Sequence, residues 1–310
     1  MRVNKQYALS ILVRIATPVA KSSLRKILSN QRIWRFLTEN RLIGDIPFRF
    51  EAEIQGTRFQ LQGPFRYSAG HYYAVYLVQG AYEAPVTAHI TRVVRQSANP
   101  RVLDVGAHYG WYTLYLAKLI ANRGVVFSFE PSEVVFSCLK RNVELNGLHN
   151  VRLYMLPLSD EREPISMVVT KEFPREARYM SVVEGDMTDE YNGLVRAIPF
   201  DELNETEAIH PNIVKIDVRS VWRKVVDGMR ETLSRDVEHL YLELDPPPAS
   251  NGLSSLCADV QHVISMMHDA GMDVYEIQNH RTRDGGQMVK ADENRICAAN
   301  EAMLYGVKSR

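Results

Sequence analysis

The segment Asp104-Val105-Gly106-Ala107-His108-Tyr109-Gly110 combines residue types and spacing able to hold a small charged ligand. It follows a short apolar run, and its two glycines let the backbone turn sharply and approach a ligand closely. A helix opening just after it would offer free N–H groups to an anion such as a carboxylate. The spacing is not the G-x-G-x-x-G of a dinucleotide site, because positions 108 and 111 are His and Trp. Asp104, two residues before the first glycine, would repel a diphosphate and attract an ammonium group. The turn therefore suits a ligand that carries both a carboxylate and an ammonium.

Two further segments add to this set. Phe127-Ser128-Phe129-Glu130-Pro131 ends in an acid able to accept both hydroxyls of a ribose, and Leu158-Ser159-Asp160 falls where contacts to an adenine edge belong. An amino-acid tail, a ribose and an adenine in that order describe S-adenosylmethionine. Transfer of its methyl group would need a base near the acceptor. Asp217 is the first candidate, followed by Glu243 and Asp245, at the ends of the next two strands. His108 could also face the acceptor. Tyr72, Tyr73 and Tyr82 are candidates for stacking on it, although packing beneath a hairpin explains such tyrosines equally well.

These residues need a scaffold. Phe48, Phe50, Ala52 and Ile54 alternate with charged residues, and Phe59 and Leu61 with glutamines, which predicts a hairpin around Gly56. A helical pattern follows through Val86, Ile90, Val93 and Val94. From Arg101 onward, short apolar strands (102–105, 125–129, 151–156, 213–218, 240–244, 274–277 and 303–307) alternate with helices (112–120, 131–145, 222–233 and 253–270). Such a pattern predicts a parallel sheet covered on both faces, with ligands bound beyond the carboxyl ends of its strands. The polar stretch 159–211 reads as a mobile loop or insertion covering the site.

The run from Val102 to Thr113 resembles the first motif of FkbM-type methyltransferases. So do Phe129-Glu130-Pro131, Asn142-Val143-Glu144-Leu145-Asn146-Gly147, Leu158-Ser159-Asp160, Val214-Lys215-Ile216-Asp217-Val218 and Gly80-Ala81-Tyr82-Glu83. The resemblance covers roughly residues 75 to 245. It implies a Rossmann-like class I methyltransferase fold (α/β, mostly parallel), S-adenosylmethionine as donor, and O-methylation of a hydroxyl on a sugar, glycan or other small natural product. It places Asp104, Gly106, Ala107, His108, Gly110, Thr113, Glu130, Pro131, Ser159 and Asp160 in the cofactor site. Residues 1–80 then form an arm, hairpin and Tyr-rich segment, and 81–310 the methyltransferase domain. One departure stands out: where the family continues Glu-Gly-x-Glu, this chain has Arg219-Ser220-Val221-Trp222. It implies either a changed acceptor or, as the alternative, a cofactor-binding but inactive docking module.

Charge and composition exclude other classes. With 37 basic and 37 acidic residues in 310, the molecule as a whole has no charge suited to nucleic acid. Residues 1–41 nevertheless hold nine basic residues against one acid, which points to a helical arm docking on a protein partner or an anionic membrane. Its apolar stretch is too short to span a bilayer. Three scattered cysteines fit neither a disulfide framework nor a metal site, so a reducing, cytoplasmic setting is expected. The histidines His210, His239, His262, His268 and His280 lack metal-ligand spacing, so no structural metal is expected, and Asp217 with Glu243 would hold magnesium only loosely. The subunit count, including a homo-oligomer, stays open.

Overall fold

Strand β3 (Arg101–Val105) turns apolar side chains toward both faces, with four of its five residues buried. Such a strand needs cover on each side, and it occupies the middle of the sheet. The computed structural model describes residues 47–64, 72–73, 75–76, 79–169, 177–181, 191–219, 221–245, 252–282, 286–299 and 301–309. The basic arm, His71 and the three prolines at 246–248 lie outside them.

Strands β4 (Val125–Phe129), β5 (Val151–Tyr154), β9 (Ile213–Ile216) and β10 (His239–Leu244) run parallel with β3. Near the end of the chain, β11 (Met272–Ile277), β12 (Met288–Lys290) and β13 (Ala302–Lys308) complete the sheet. The order is β12-β11-β13-β10-β9-β3-β4-β5, and β13 runs antiparallel between β10 and β11. This is the Rossmann-like class I methyltransferase sheet that the motifs imply. Strand order reverses between β3 and β9, which opens a crevice at their carboxyl ends.

Alternate strand residues feed two apolar layers. Val102, Val126, Ile213 and Tyr241 pack beneath α1 (Ala84–Gln96), α2 (Trp111–Ile120) and α3 (Glu133–Leu145). Leu103, Phe127, Val214 and Leu240 pack on the other face. Their cover is α4 (Phe200–Glu207), α5 (Trp222–Asp227), α6 (Arg230–Arg235), α7 (Gly252–Asp269) and α8 (Glu293–Ala298). Among the described residues no helix is long and apolar enough to cross a membrane.

The predicted hairpin forms as β1 (Pro47–Ile54) and β2 (Thr57–Pro64) and lies over α2 and α3. Two asparagines one helical turn apart hold it there. Asn142 Nδ2 donates to the carbonyls of Gln62 and Tyr109, and its Oδ1 accepts from the Gln62 amide at 2.9 Å. Asn146 repeats the pattern on the amide and carbonyl of Gln60. These amide side chains satisfy the edge of β2 as a neighbouring strand would.

Several elements depart from expectation, among them β12 and α8, which the pattern did not predict, and β9, which ends at Ile216 and not at 218. The helix predicted over 222–233 breaks into α5 and α6 at Gly228, where a Cβ would lie 1.9 Å from the carbonyl oxygen of Ser159. The described parts of 159–211 are not a loop: β6 (Glu163–Val169), β7 (Ala177–Ser181) and β8 (Tyr191–Ala197) form an antiparallel sheet, and α4 follows. Weak alternation and many polar residues concealed these strands. The third strand ends at Tyr154, two residues earlier than expected.

Replacing Asn142 by Leu should cost about 3 kcal/mol, because the backbone groups of Gln62 and Tyr109 lose their partner under cover. Urea denaturation should show a lower midpoint with an unchanged slope.

Candidate active site

The crevice between β3 and β9 closes tightly around Gly106. Its φ is +84°, and a Cβ there would meet the Asp217 carbonyl oxygen at 2.0 Å. The Asp217 amide donates to the Val105 carbonyl at 2.9 Å, so the exits of both strands are laced together. The amides of Gly106 and Ala107 both donate to the Phe129 carbonyl, at 3.0 and 2.9 Å, and draw the turn against β4. Both amides are therefore engaged within the protein and fix the turn against β4.

Glu130 is the pivot of this corner. Its Oε2 accepts from the His108 amide at 3.0 Å and its Oε1 from the Ser132 amide at 2.9 Å. Burial raises its carboxyl to about 7 against the pull of those two amides. A carboxylate offers about four acceptor positions, so two remain for vicinal hydroxyls. Pro131 is half-buried beside it, and His108, in the left-handed region at φ 52°, meets the Tyr72 hydroxyl through Nδ1 at 3.0 Å.

Asp104 does something other than expected. Thr113 Oγ1 donates to its Oδ2 at 2.6 Å and also meets Ser128 Oγ at 2.8 Å, all three side chains being buried. The acid thus holds the first turn of α2 against the sheet from inside. Burial raises its carboxyl.

Beside it lies a cluster of charges that spacing did not reveal. Lys215 is 1% exposed in the middle of β9. Its Nζ donates to Asp217 Oδ2 at 2.9 Å and lies 4.5 Å from the centre of the Tyr112 ring. Burial works against this ammonium, but Asp217, Glu83 and Asp104 outweigh it and hold its pKa above the ordinary lysine value. The Asp217 side chain is 27% exposed, at the rim. Burial and then repulsion from Glu243 push its carboxyl well up. Glu243 is 1% exposed and takes Arg281 and His280 on Oε1. Burial would raise it, yet those two partners prevail and hold it well below the usual range. Tyr112 donates to Glu83 Oε2 at 2.8 Å. One signal could have found Lys215: it is a lysine within the otherwise apolar run Ile213-Val214-Lys215-Ile216.

The remaining candidates divide. Tyr82 borders the acids: burial first, and then Glu83, Tyr72, Asp217 and Glu243, raise its hydroxyl. Tyr72 meets Tyr82 edge-on at 4.8 Å and stacks on Trp111 at 5.6 Å, forming a wall beside His108. Tyr73 packs on Phe48 and Phe50 under the hairpin, away from this wall. Ser159 is fully buried, its hydroxyl committed to Asp160 at 3.0 Å and Glu163 at 2.6 Å, and Lys224 of α5 joins both acids. Both residues thus serve a network tying the exit of β5 to α5. Asp245 accepts Trp222 Nε1 on its carbonyl, so the divergent segment Arg219 to Trp222 ends in a buried anchor of α5.

The strand order and the laced crevice decide the architecture. This is the class I methyltransferase fold. No protein-family profile matches the chain. Methyltransferase sdnD of Sordaria araneosa is 25% identical over 163 residues, 52% of this chain, and the match spans 60% of that protein's length. Among solved structures, an S-adenosylmethionine-dependent methyltransferase of Agrobacterium tumefaciens is similar over 84% of this chain and 70% of its own (15% identity, TM-score 0.46). Methyltransferase FkbM of Methylobacillus flagellatus is similar over 76% and 54% (15% identity, TM-score 0.37).

The residues around Glu130 fit the ribose of S-adenosylmethionine, through a buried carboxylate with acceptor positions to spare beside a glycine turn. Replacing Lys215 by Met should destabilise the fold by about 3–5 kcal/mol, since it leaves buried acids without their counter-charge. Chemical denaturation of this variant against the parent measures the loss.

Proposed function

We propose that this protein transfers the methyl group of S-adenosylmethionine to a hydroxyl of a sugar, glycan or other small natural product. The observation that carries the reading is the Glu130 carboxylate, clamped by the amides of His108 and Ser132 one strand away from the Gly106 turn. The name of the curated relative, a methyltransferase, supports it. When bound, the cofactor supplies an electrophilic methyl group on a sulfonium.

The chain supplies the rest. Glu130 orients the ribose through two hydroxyls, and the Gly106–Gly110 turn allows close approach. Asp217, the cluster acid on the rim, is the base for the acceptor hydroxyl, and because its carboxyl is raised it must first lose its own proton to serve. Lys215 fixes Oδ2 of that acid and so orients its carboxyl at the rim. Glu243 lies behind Asp217, out of reach of an acceptor, and acts as a positioning residue in place of the catalytic role first assigned to it. Tyr72 and Tyr82 wall the acceptor side, where a sugar ring can stack.

Calorimetry with S-adenosylhomocysteine should show binding to the full chain, and no binding of either this product or its parent would remove the proposal. Asp217→Asn should lower turnover by about 10²- to 10⁴-fold while the product's Kd stays within a few-fold. Affinity should also depend on pH. The ribose hydroxyls need the carboxylate form of Glu130, whose pKa lies at about 7. Kd should therefore be constant above pH 7 and rise by up to about tenfold per unit below it. Glu130→Gln should bind more weakly and show no such slope.

A further inference from the structure

We propose that Glu83, Glu243 and His280 form a binding site for a divalent first-row metal ion such as Mn2+ or Zn2+. One donor atom from each lies within 4.8 Å of the other two, and all three residues are buried. Glu83 spends Oε2 on Tyr112, and its Oε1 has no hydrogen-bond partner. Glu243 spends Oε1 on His280 and Arg281, and its Oε2 has none. An orphaned buried acceptor costs about 1–3 kcal/mol, and more when charged, so two side by side point to a cation that both would bind.

Three distant segments converge to build the cluster. Glu83 precedes α1 in a left-handed conformation (φ 46°, ψ 58°), with no capping bond from its side chain, which turns inward instead. Glu243 comes from β10 and His280 from the loop after β11. Gln79 Nε2 donates to the Arg281 carbonyl at 2.7 Å and pins that loop to the start of α1. Gly286 packs so closely on Pro85 that a Cβ would come within 2.4 Å of the proline Cβ. Two contacts thus fix the loop that carries His280 against the start of α1.

Charge balance agrees. Asp104 and Asp217 border the two glutamates, and the permanent cations facing the four acids are Lys215 and Arg281. Four acidic side chains face two permanent cations, so this corner is short of positive charge, which a divalent ion supplies. Two carboxylates with one imidazole favour Mn2+ or Zn2+ over Mg2+, which prefers an all-oxygen shell. Metal–ligand bonds of about 2.1 Å require the donors to draw closer than 4.8 Å, a change within reach of side-chain torsions. The site shares Glu243 with the methyl-transfer reading but does not depend on it, and its test uses no cofactor.

The full chain, stripped with a chelator and dialysed, should be titrated with Mn2+ while the resonance of the free aquo ion is followed. One equivalent should bind with a Kd near or below about 10 μM, and a saturating level should raise the melting temperature. Zn2+ should compete for the same equivalent. Glu83→Gln and His280→Gln should each weaken binding at least tenfold, while Asp273→Asn, at the opposite end of β11, should not change it. Circular dichroism checks that each variant folds; should Glu83→Gln fail, the loop variant His280→Gln carries the comparison. Absence of Mn2+ and Zn2+ binding tighter than about 1 mM in the parent protein, or equal affinity in every folded variant, would overturn the proposal.

Discussion

An ammonium group inside a β-sheet is tolerable only where carboxylates surround it, and Lys215 imposes that condition on the carboxyl ends of the strands. Desolvation alone would drive it to neutrality, so Asp217, Glu83 and Asp104 must sit within reach. Those acids come from the exits of β9 and β3 and from the residue before α1. The face of Tyr112 adds a fourth contact. A polar crevice is thereby built into the apolar interior, and the acid on its rim, Asp217, is the one still open to an incoming molecule.

The same end of the sheet is stiffened by backbone bonds. Gly106 lets the turn after β3 press on the carbonyl of Asp217, while Phe129 collects two amides from that turn. Glu130 then collects two more, from His108 and Ser132. A carboxylate held in this way presents its remaining lone pairs in fixed directions, and preorganisation of that kind lowers the cost of binding. Outside the sheet, Asn142 and Asn146 let a helix pair with the edge of the hairpin. Its aromatic face can therefore close over Trp111 and form part of the wall beside His108.

Much of the fold was legible because its signals are local. Two-sided apolar strands at 102–105, 125–129 and 213–216 announced a covered parallel sheet, and the alternation around Gly56 announced the hairpin. The strands at 163–169 and 191–197 were missed because their alternation is diluted by polar residues. The break at Gly228 was missed because the close packing there, on the Ser159 carbonyl, involves another part of the chain. In the site, Glu130 and Asp217 stand where strand ends predicted them. Asp104, Ser159 and Tyr73 have the predicted positions along the chain but face inward to other partners.

By itself, the sequence determined the parallel strands and the main helices between them, the glycine turn and the acids at the ends of the strands, since periodicity, chain reversal and strand termini depend on near neighbours. Only the tertiary structure decided which acids face a buried lysine, which oxygens stay unpartnered, and that Glu83, Glu243 and His280 meet. Those outcomes depend on which distant segments converge, and a low-dielectric interior makes each such meeting strong enough to set the charge and direction of a side chain.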